Sequence, residues 1–217
     1  REYSAPRNTE IGEGILRQLH IIWHTLKKVI KNKVLLLFMI SFAFFNDGIQ
    51  TVISMASIFG KEALQLDEGT LIGTLLMIQI LGLPFTLGMT KLADRWGAKE
   101  TLMGSLFFWL FIVAYAYFME TAKDFWMLGL MVAIVLGVSQ ALGRSIYASL
   151  IPKDRQAEYF AFFAISGKMT SIVGPTLFAA VKDATGNVRL SIVALGLMFV
   201  AGIVALCFVR LPRPNRK

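Results

Sequence analysis

Cysteine, histidine and charge are all scarce in this chain of 217 residues. The one cysteine, Cys207, lies inside an apolar run, so neither a disulfide framework nor a cysteine metal centre is possible within the chain. The two histidines, His20 and His24, both fall in the first 33 residues, and no H-E-x-x-H pair exists to hold a catalytic zinc. Prenyl-transfer chemistry would need clustered acids for magnesium, and only one acid, Asp47, lies deep in an apolar run. An enzyme is therefore not expected, nor is a cofactor. Charged residues make up 17% of the chain, against about a quarter in a soluble domain. The opening residues, REYSAPRNTE, are polar, so no signal peptide is visible. The chain starts at Arg1, and it is expected to be a piece of a longer protein.

What is abundant is apolar. Hydrophobic residues account for 56% and aromatics for 12%, with mean hydropathy +0.63. A helix needs about 20 mostly apolar residues to cross the hydrocarbon layer, and six segments qualify. They run over residues 34–60, 70–92, 101–119, 125–150, 159–181 and 190–209. Turn formers and charges collect between them, in KEALQLDEG, KLADRWGAKE, ETAKD, IPKDRQAE and KDATGNVR. A soluble bundle would alternate apolar and polar faces along each helix. The third and sixth segments are apolar nearly all round, so lipid is the expected surrounding. The fold class is an all-α membrane protein with six transmembrane helices.

The net charge of +8 reads as topology. Sixteen Lys and Arg residues lie before the first span, in the second and fourth connections and in the tail; four lie in the other connections. By the excess of basic residues on the cytoplasmic side, both ends of this segment are expected in the cytoplasm. The expected division is residues 1–33 as a cytoplasmic linker, 34–210 as the transmembrane unit and 211–217 as a tail. Within the linker, Ile11, Ile15, Leu19, Ile22, Leu26 and Ile30 form one helical stripe. Lys27, Lys28 and Lys31 crowd its C-terminal end, as on an amphipathic helix lying at the membrane surface.

Polar groups inside hydrocarbon are costly and usually face a cavity or another helix. The first span holds Asn46, Asp47 and Gln50; the second, Gln79; the fourth, Gln140 and Arg144; the fifth, Lys168. The third and sixth hold none. Four spans read as walls of something polar and two as shields, in an order that repeats after three helices. Two three-helix repeats are a known plan of secondary transporters. Asn46 and Gln50 share a helix face by spacing, as do Gln140 and Arg144. Asp47 and Lys168 both fall near mid-membrane, where pairing would keep each charged. Hydrogen bonds that only hold helices together are the competing reading, strongest for Gln79. Gly137 and Ala141, and Gly167 and Ser171, are small-residue pairs that permit close helix approach. Pro84 and Gly174-Pro175 are expected to kink the second and fifth spans.

Residues 92–99, LADRWGAK, resemble the cytoplasmic loop motif of the major facilitator superfamily. Asp94, Arg95, Gly97 and Lys99 fit its pattern, whereas Thr90 stands where its first glycine is expected and Ala98 replaces a basic residue. The segments FFNDGIQTVI (44–53), SQALGRSIYASLIPKDRQAEYFAFFAISGK (139–168) and GPTLFA (174–179) resemble the vacuole-effluxer branch, the autophagy-related amino-acid effluxers and their bacterial relatives. That resemblance implies helices seven to twelve of a twelve-helix fold, partnered by a missing N-terminal six-helix half. The implied activity is secondary transport of a small solute by alternating access, with amino acids as substrate class and proton coupling as a further expectation. A bacterial plasma membrane is the expected location, ahead of a vacuolar one. Asn46, Asp47, Gln50, Gln79, Gln140, Arg144 and Lys168 are the candidate pathway residues. A channel or a structural membrane subunit is the alternative. No nucleic-acid partner is expected.

Overall fold

The computed structural model describes residues 23–211. A helical segment, α1, covers residues 23–31. It is followed by α2 (Lys33–Leu64), α3 (Glu68–Trp96), α4 (Ala98–Phe118), α5 (Ala122–Leu150), α6 (Gln156–Thr170), α7 (Val173–Thr185), α8 (Val188–Ala194) and α9 (Gly196–Phe208). Six stretches are long and apolar enough to cross a membrane: α2, α3, α4, α5, α6 with α7, and α8 with α9. The chain is a multi-pass integral membrane protein. Residues 1–22 and 212–217, with most of the predicted linker stripe and nearly all of the tail, lie outside the described residues.

The helix starts follow from local chemistry. Asn32 accepts from the Leu35 N–H at 3.2 Å and caps α2; Asp67 accepts from the Thr70 N–H at 3.0 Å and caps α3. Both donors would otherwise be orphans of the first turn. The Thr70 hydroxyl also donates to Asp67, and these bonds hold the Asp67 carboxyl below the usual carboxylate range. Thr121 and Asp124 form a reciprocal capping box on α5. Helices α3 and α7 each end on a glycine with positive φ, Gly97 at 107° and Gly186 at 65°, a backbone that glycine adopts without a Cβ clash.

The fifth span differs from the sequence expectation. It is not bent at Gly174-Pro175 but broken at Ser171–Ile172, into α6 and α7. Pro175 has no N–H to donate to the Ser171 carbonyl, and its ring crowds that group. The effect of the proline therefore appears four residues upstream. Pro84, in contrast, lies inside a continuous α3.

Packing shows the repeat. The first unit is α2, α3 and α4; the second is α5, α6–α7 and α8–α9. Helix α3 packs on α5, and α6–α7 packs on α2; α2 packs on α9, and α5 packs on α4. Each contact between units has its counterpart when the units are exchanged. Coverage repeats too. Half of the most apolar window is buried in α2 and in α5, 11% in α3 and in α6–α7, and 44% in α4 and in α8–α9. The third and sixth spans are thus not bare shields. Each turns one side to the bundle: Trp109 of α4 stacks on Phe199 of α9 at 5.5 Å, and its indole N–H donates to Ser139 of α5 at 3.1 Å. Apolar side chains suit both a helix neighbour and lipid, so composition could not tell those two sides apart.

Small residues set the closest approach. Gly129, Ala133, Gly137 and Ala141 recur every fourth residue along α5, and a Cβ added at Gly137 would overlap Thr86 of α3. At the two ends of the bundle, the antiparallel α4 and α9 cap one another's sides. Lys99, at the start of α4, donates to the carbonyls of Cys207 and Val209 at 3.3 and 2.5 Å. Arg189, at the start of α8, donates to the Tyr117 carbonyl at 2.7 Å. In both cases a cation meets the last turn of the opposite helix, where unpaired carbonyls leave negative potential.

Candidate functional site

One face of α2 carries Asn46, Gln50, Ile53 and Ser57, spaced four, three and four residues apart. One face of α5 carries Gly129, Val132, Leu136, Gln140 and Arg144 at the same kind of spacing. Two clefts open along these faces. The polar cleft, about 650 Å³, is walled by Phe42, Asn46 and Gln50 of α2, Arg144 of α5, and Phe160, Phe163, Ala164, Gly167 and Lys168 of α6, with Ser171 beyond it. The second, about 430 Å³, lies between α2, α3 and α5; Gln79, Gln140, Ser57 and Thr74 are set among mostly aliphatic neighbours. Gln140 and Arg144 share a face, as their spacing requires, yet open on different clefts. About 6 Å of helix rise separates them, and the flanking helix changes from α3 to α6.

The polar cleft gathers four predicted site residues: Asn46, Gln50, Arg144 and Lys168. Lys168 stands about 18 Å along α6 and shares the cleft with the amides of Asn46 and Gln50. Aromatic side chains share the lining: Phe42 and Phe163 have ring centroids 4.3 Å apart, and Tyr147 stacks on Phe163 at 4.3 Å. These rings are apolar and stand outside the charged and amide residues that mark the spans. Their sequence signal was the run YFAFF over residues 159–163.

Asp47 is not in either cleft. It is 1% exposed, and its Oδ2 accepts the backbone N–H of Gly174 at 2.8 Å. The expected Asp47–Lys168 pair is absent from the ion pairs among the described residues. The break in the fifth span supplies the reason. Gly174 is the second residue of α7, where free N–H groups make a positive end, and Asp47 caps it. Lys168 lies in the last turn of α6, the negative end. Each charge is matched to one end of the break rather than to the other charge. Asp47 Oδ1 and the buried Thr51 hydroxyl have no hydrogen-bond partner among the described residues. A Cβ on Gly174 would overlap the Thr51 hydroxyl and come within 3.2 Å of Oδ1. Thr51 and Gly174 thus join Asp47 in one buried group. The spacing of Asp47 and Thr51 by four residues is the sequence signal for this group, carried by a hydroxyl and not by a charged or amide side chain.

The loop-motif residues sit at the end of the bundle away from Arg189. Asp94 and Arg95 are exposed on the last turn of α3, Gly97 makes the turn, and Lys99 reaches α9.

The whole chain matches a known pattern. Residues 2–217 match the family model described as vacuole effluxer Atg22 like. An uncharacterized MFS-type transporter, YxiO, from Bacillus subtilis is 36% identical over 90% of this chain and 45% of its own length. Autophagy-related protein 22 of Candida glabrata is 25% identical over 93% of this chain and 40% of its own length. Autophagy-related protein 22-1 of Sclerotinia sclerotiorum is 30% identical over 77% of this chain and 31% of its own length. The chain therefore spans less than half the length of these relatives. No solved structure matches it. The chain belongs to the Atg22-like vacuole effluxer family.

Proposed function

We propose that this chain is the C-terminal half of a secondary active transporter for a small solute, with amino acids as the substrate class, working by alternating access. The observation that carries this reading is the polar cleft of Asn46, Gln50, Arg144 and Lys168, all on membrane-spanning helices. A structural subunit gains nothing from two cations placed there at such cost in desolvation. A channel would want a ring of charge or carbonyls repeated around an axis, and the cleft is one-sided. The Bacillus subtilis relative is named as a transporter and the family model as an effluxer, so an enzyme is not proposed.

The two clefts are flanked by α3 and by α6, which belong to the two spans least covered within this chain. In this reading a second six-helix half of the same protein packs against those flanks and closes the clefts from the other side. Arg144 and Lys168 hold the substrate's carboxylate, and Asn46 and Gln50 orient it by hydrogen bonds. Gln79 and Gln140 serve the neighbouring cleft. Asp47 acts as the proton-coupling group. Oδ1, buried and without a partner beside the Thr51 hydroxyl, would hold a proton without exposing it to lipid. Asp94, Arg95, Gly97 and Lys99 form the cytoplasmic loop, both ends of the segment are cytoplasmic, and the membrane is a bacterial plasma membrane. The test is uptake by the full-length protein in proteoliposomes, across a panel of amino acids with and without a pH gradient. Saturable uptake of one or more of them is expected; no uptake under any condition overturns the substrate class.

A further inference from the structure

We infer that α1 is an anchor for anionic lipid, wedged between the helix bundle and the headgroups of one leaflet. Its position leaves little freedom. Only Asn32 separates α1 from α2, and its N–H already donates to the carbonyls of Lys28 and Val29 while its side chain caps α2. Because Lys33 opens a helix long and apolar enough to cross the membrane, α1 adjoins the end of a membrane span. This inference rests on the membrane fold and not on any substrate.

The helix has three faces. Thr25 and Val29, at 0% and 1% exposure, are turned into the protein, and the Thr25 hydroxyl donates to Glu158 near the start of α6. Trp23 and Ile30, two turns apart and 58% and 53% exposed, form an apolar edge away from the bundle. Lys27 and Lys31 are exposed beside that edge, and Lys27 stands 5.4 Å from the centre of the Trp23 ring. The face that packs on protein is thus not the predicted isoleucine stripe: of its described members, Leu26 is half-buried and Ile30 is exposed. A tryptophan prefers the headgroup level. Lysines beside it are drawn to anionic headgroups, with an effect of about fivefold in partition for each cation. A soluble partner would meet the Trp23–Ile30 edge only by displacing lipid from it. The occupant that suits an apolar edge bordered by cations, beside the end of a span, is a leaflet rich in anionic phospholipid.

The test uses the full-length protein in nanodiscs that contain either brominated phosphatidylglycerol or brominated phosphatidylcholine at equal mole fraction. Bromine quenches tryptophan at short range, and the Trp23 signal is the difference between the wild type and Trp23→Phe. The expected result is that the anionic lipid quenches Trp23 at a mole fraction about tenfold lower than the zwitterionic one. Replacing Lys27, Lys28 and Lys31 by Gln together should erase that preference, with quenching of the span tryptophans unchanged. Raising the salt should weaken it in the unaltered protein, which keeps the test independent of how the triple variant folds. Equal quenching of Trp23 by the two lipids, or none by either, overturns the inference.

Discussion

Asp47 and Gly174, 127 residues apart, meet by a hydrogen bond of 2.8 Å that holds the start of α7 against the middle of α2. The bond needs an acceptor, not a charge. Asp47→Asn keeps an oxygen for the Gly174 N–H, whereas Asp47→Ala leaves that N–H buried and unpaired, at a loss of about 1–3 kcal/mol. Thermal unfolding in detergent should show Asp47→Asn near wild type and Asp47→Ala clearly lower. In proteoliposomes Asp47→Asn should retain substrate exchange and lose the stimulation by a pH gradient. Full gradient-driven uptake by Asp47→Asn would remove the residue from proton coupling.

Gly174 is packed so closely that its side of the contact can be tested separately. Gly174→Ala places a methyl group on the Thr51 hydroxyl, and such overpacking destabilises by about 1–3 kcal/mol. Thr51→Ala vacates that position. The double variant should therefore be more stable than the sum of the two single changes requires. Strict additivity in a double-mutant cycle of unfolding temperatures would show that the two residues do not touch.

The cations of the polar cleft should act on affinity. Arg144→Gln and Lys168→Gln each remove a charge while leaving the aromatic wall of Phe42, Phe160 and Phe163 in place. Each is expected to raise KM for transport by about tenfold or more, as loss of a charge-assisted hydrogen bond does. The maximal rate should change less. Asn46→Ala should have a smaller effect, because the amide contributes a neutral bond. Uptake kinetics over a range of substrate concentrations check this; unchanged KM in both charge variants would place the substrate elsewhere.

The six spans, their order and the repeat of three were legible in the sequence because hydrocarbon filters composition so strongly. Polar residues that survive in a span are few enough to count. Direction was harder. Asn46 and Asp47 are neighbours in sequence, yet successive residues point about 100° apart on a helix. One therefore faces the cleft and the other faces α7. Periodicity groups Asn46 with Gln50 and Asp47 with Thr51 but does not say which group meets water. The break at Ser171–Ile172 was displaced from its cause, because a proline acts on the carbonyl four residues before it. Without the break in place, Asp47 and Lys168 look like partners across the membrane, when each answers one helix end. The packed face of α1 was missed for a related reason: within residues 23–31, spacing alone does not say that Thr25 and Val29, and not Leu26 and Ile30, turn into the protein.

Lys99 and Arg189 give a last prediction, on stability and sidedness together. Each cation binds carbonyls at the end of a helix from the other repeat, a contact worth about 0.3–1 kcal/mol. The two sites are at opposite ends of the bundle, so Lys99→Met and Arg189→Met should lower stability additively in unfolding experiments. Three spans, α4, α5 and α6–α7, separate the exposed Asp94 from the exposed Asp183. An odd number of crossings puts them on opposite membrane faces. In a Cys207→Ala background, Asp94→Cys and Asp183→Cys should therefore react with an impermeant thiol reagent from opposite sides of intact vesicles, Asp94→Cys from the cytoplasmic side. Labelling of both from one side would mean that the stretch between them crosses the membrane an even number of times, and the pairing of the two repeats would fail with it.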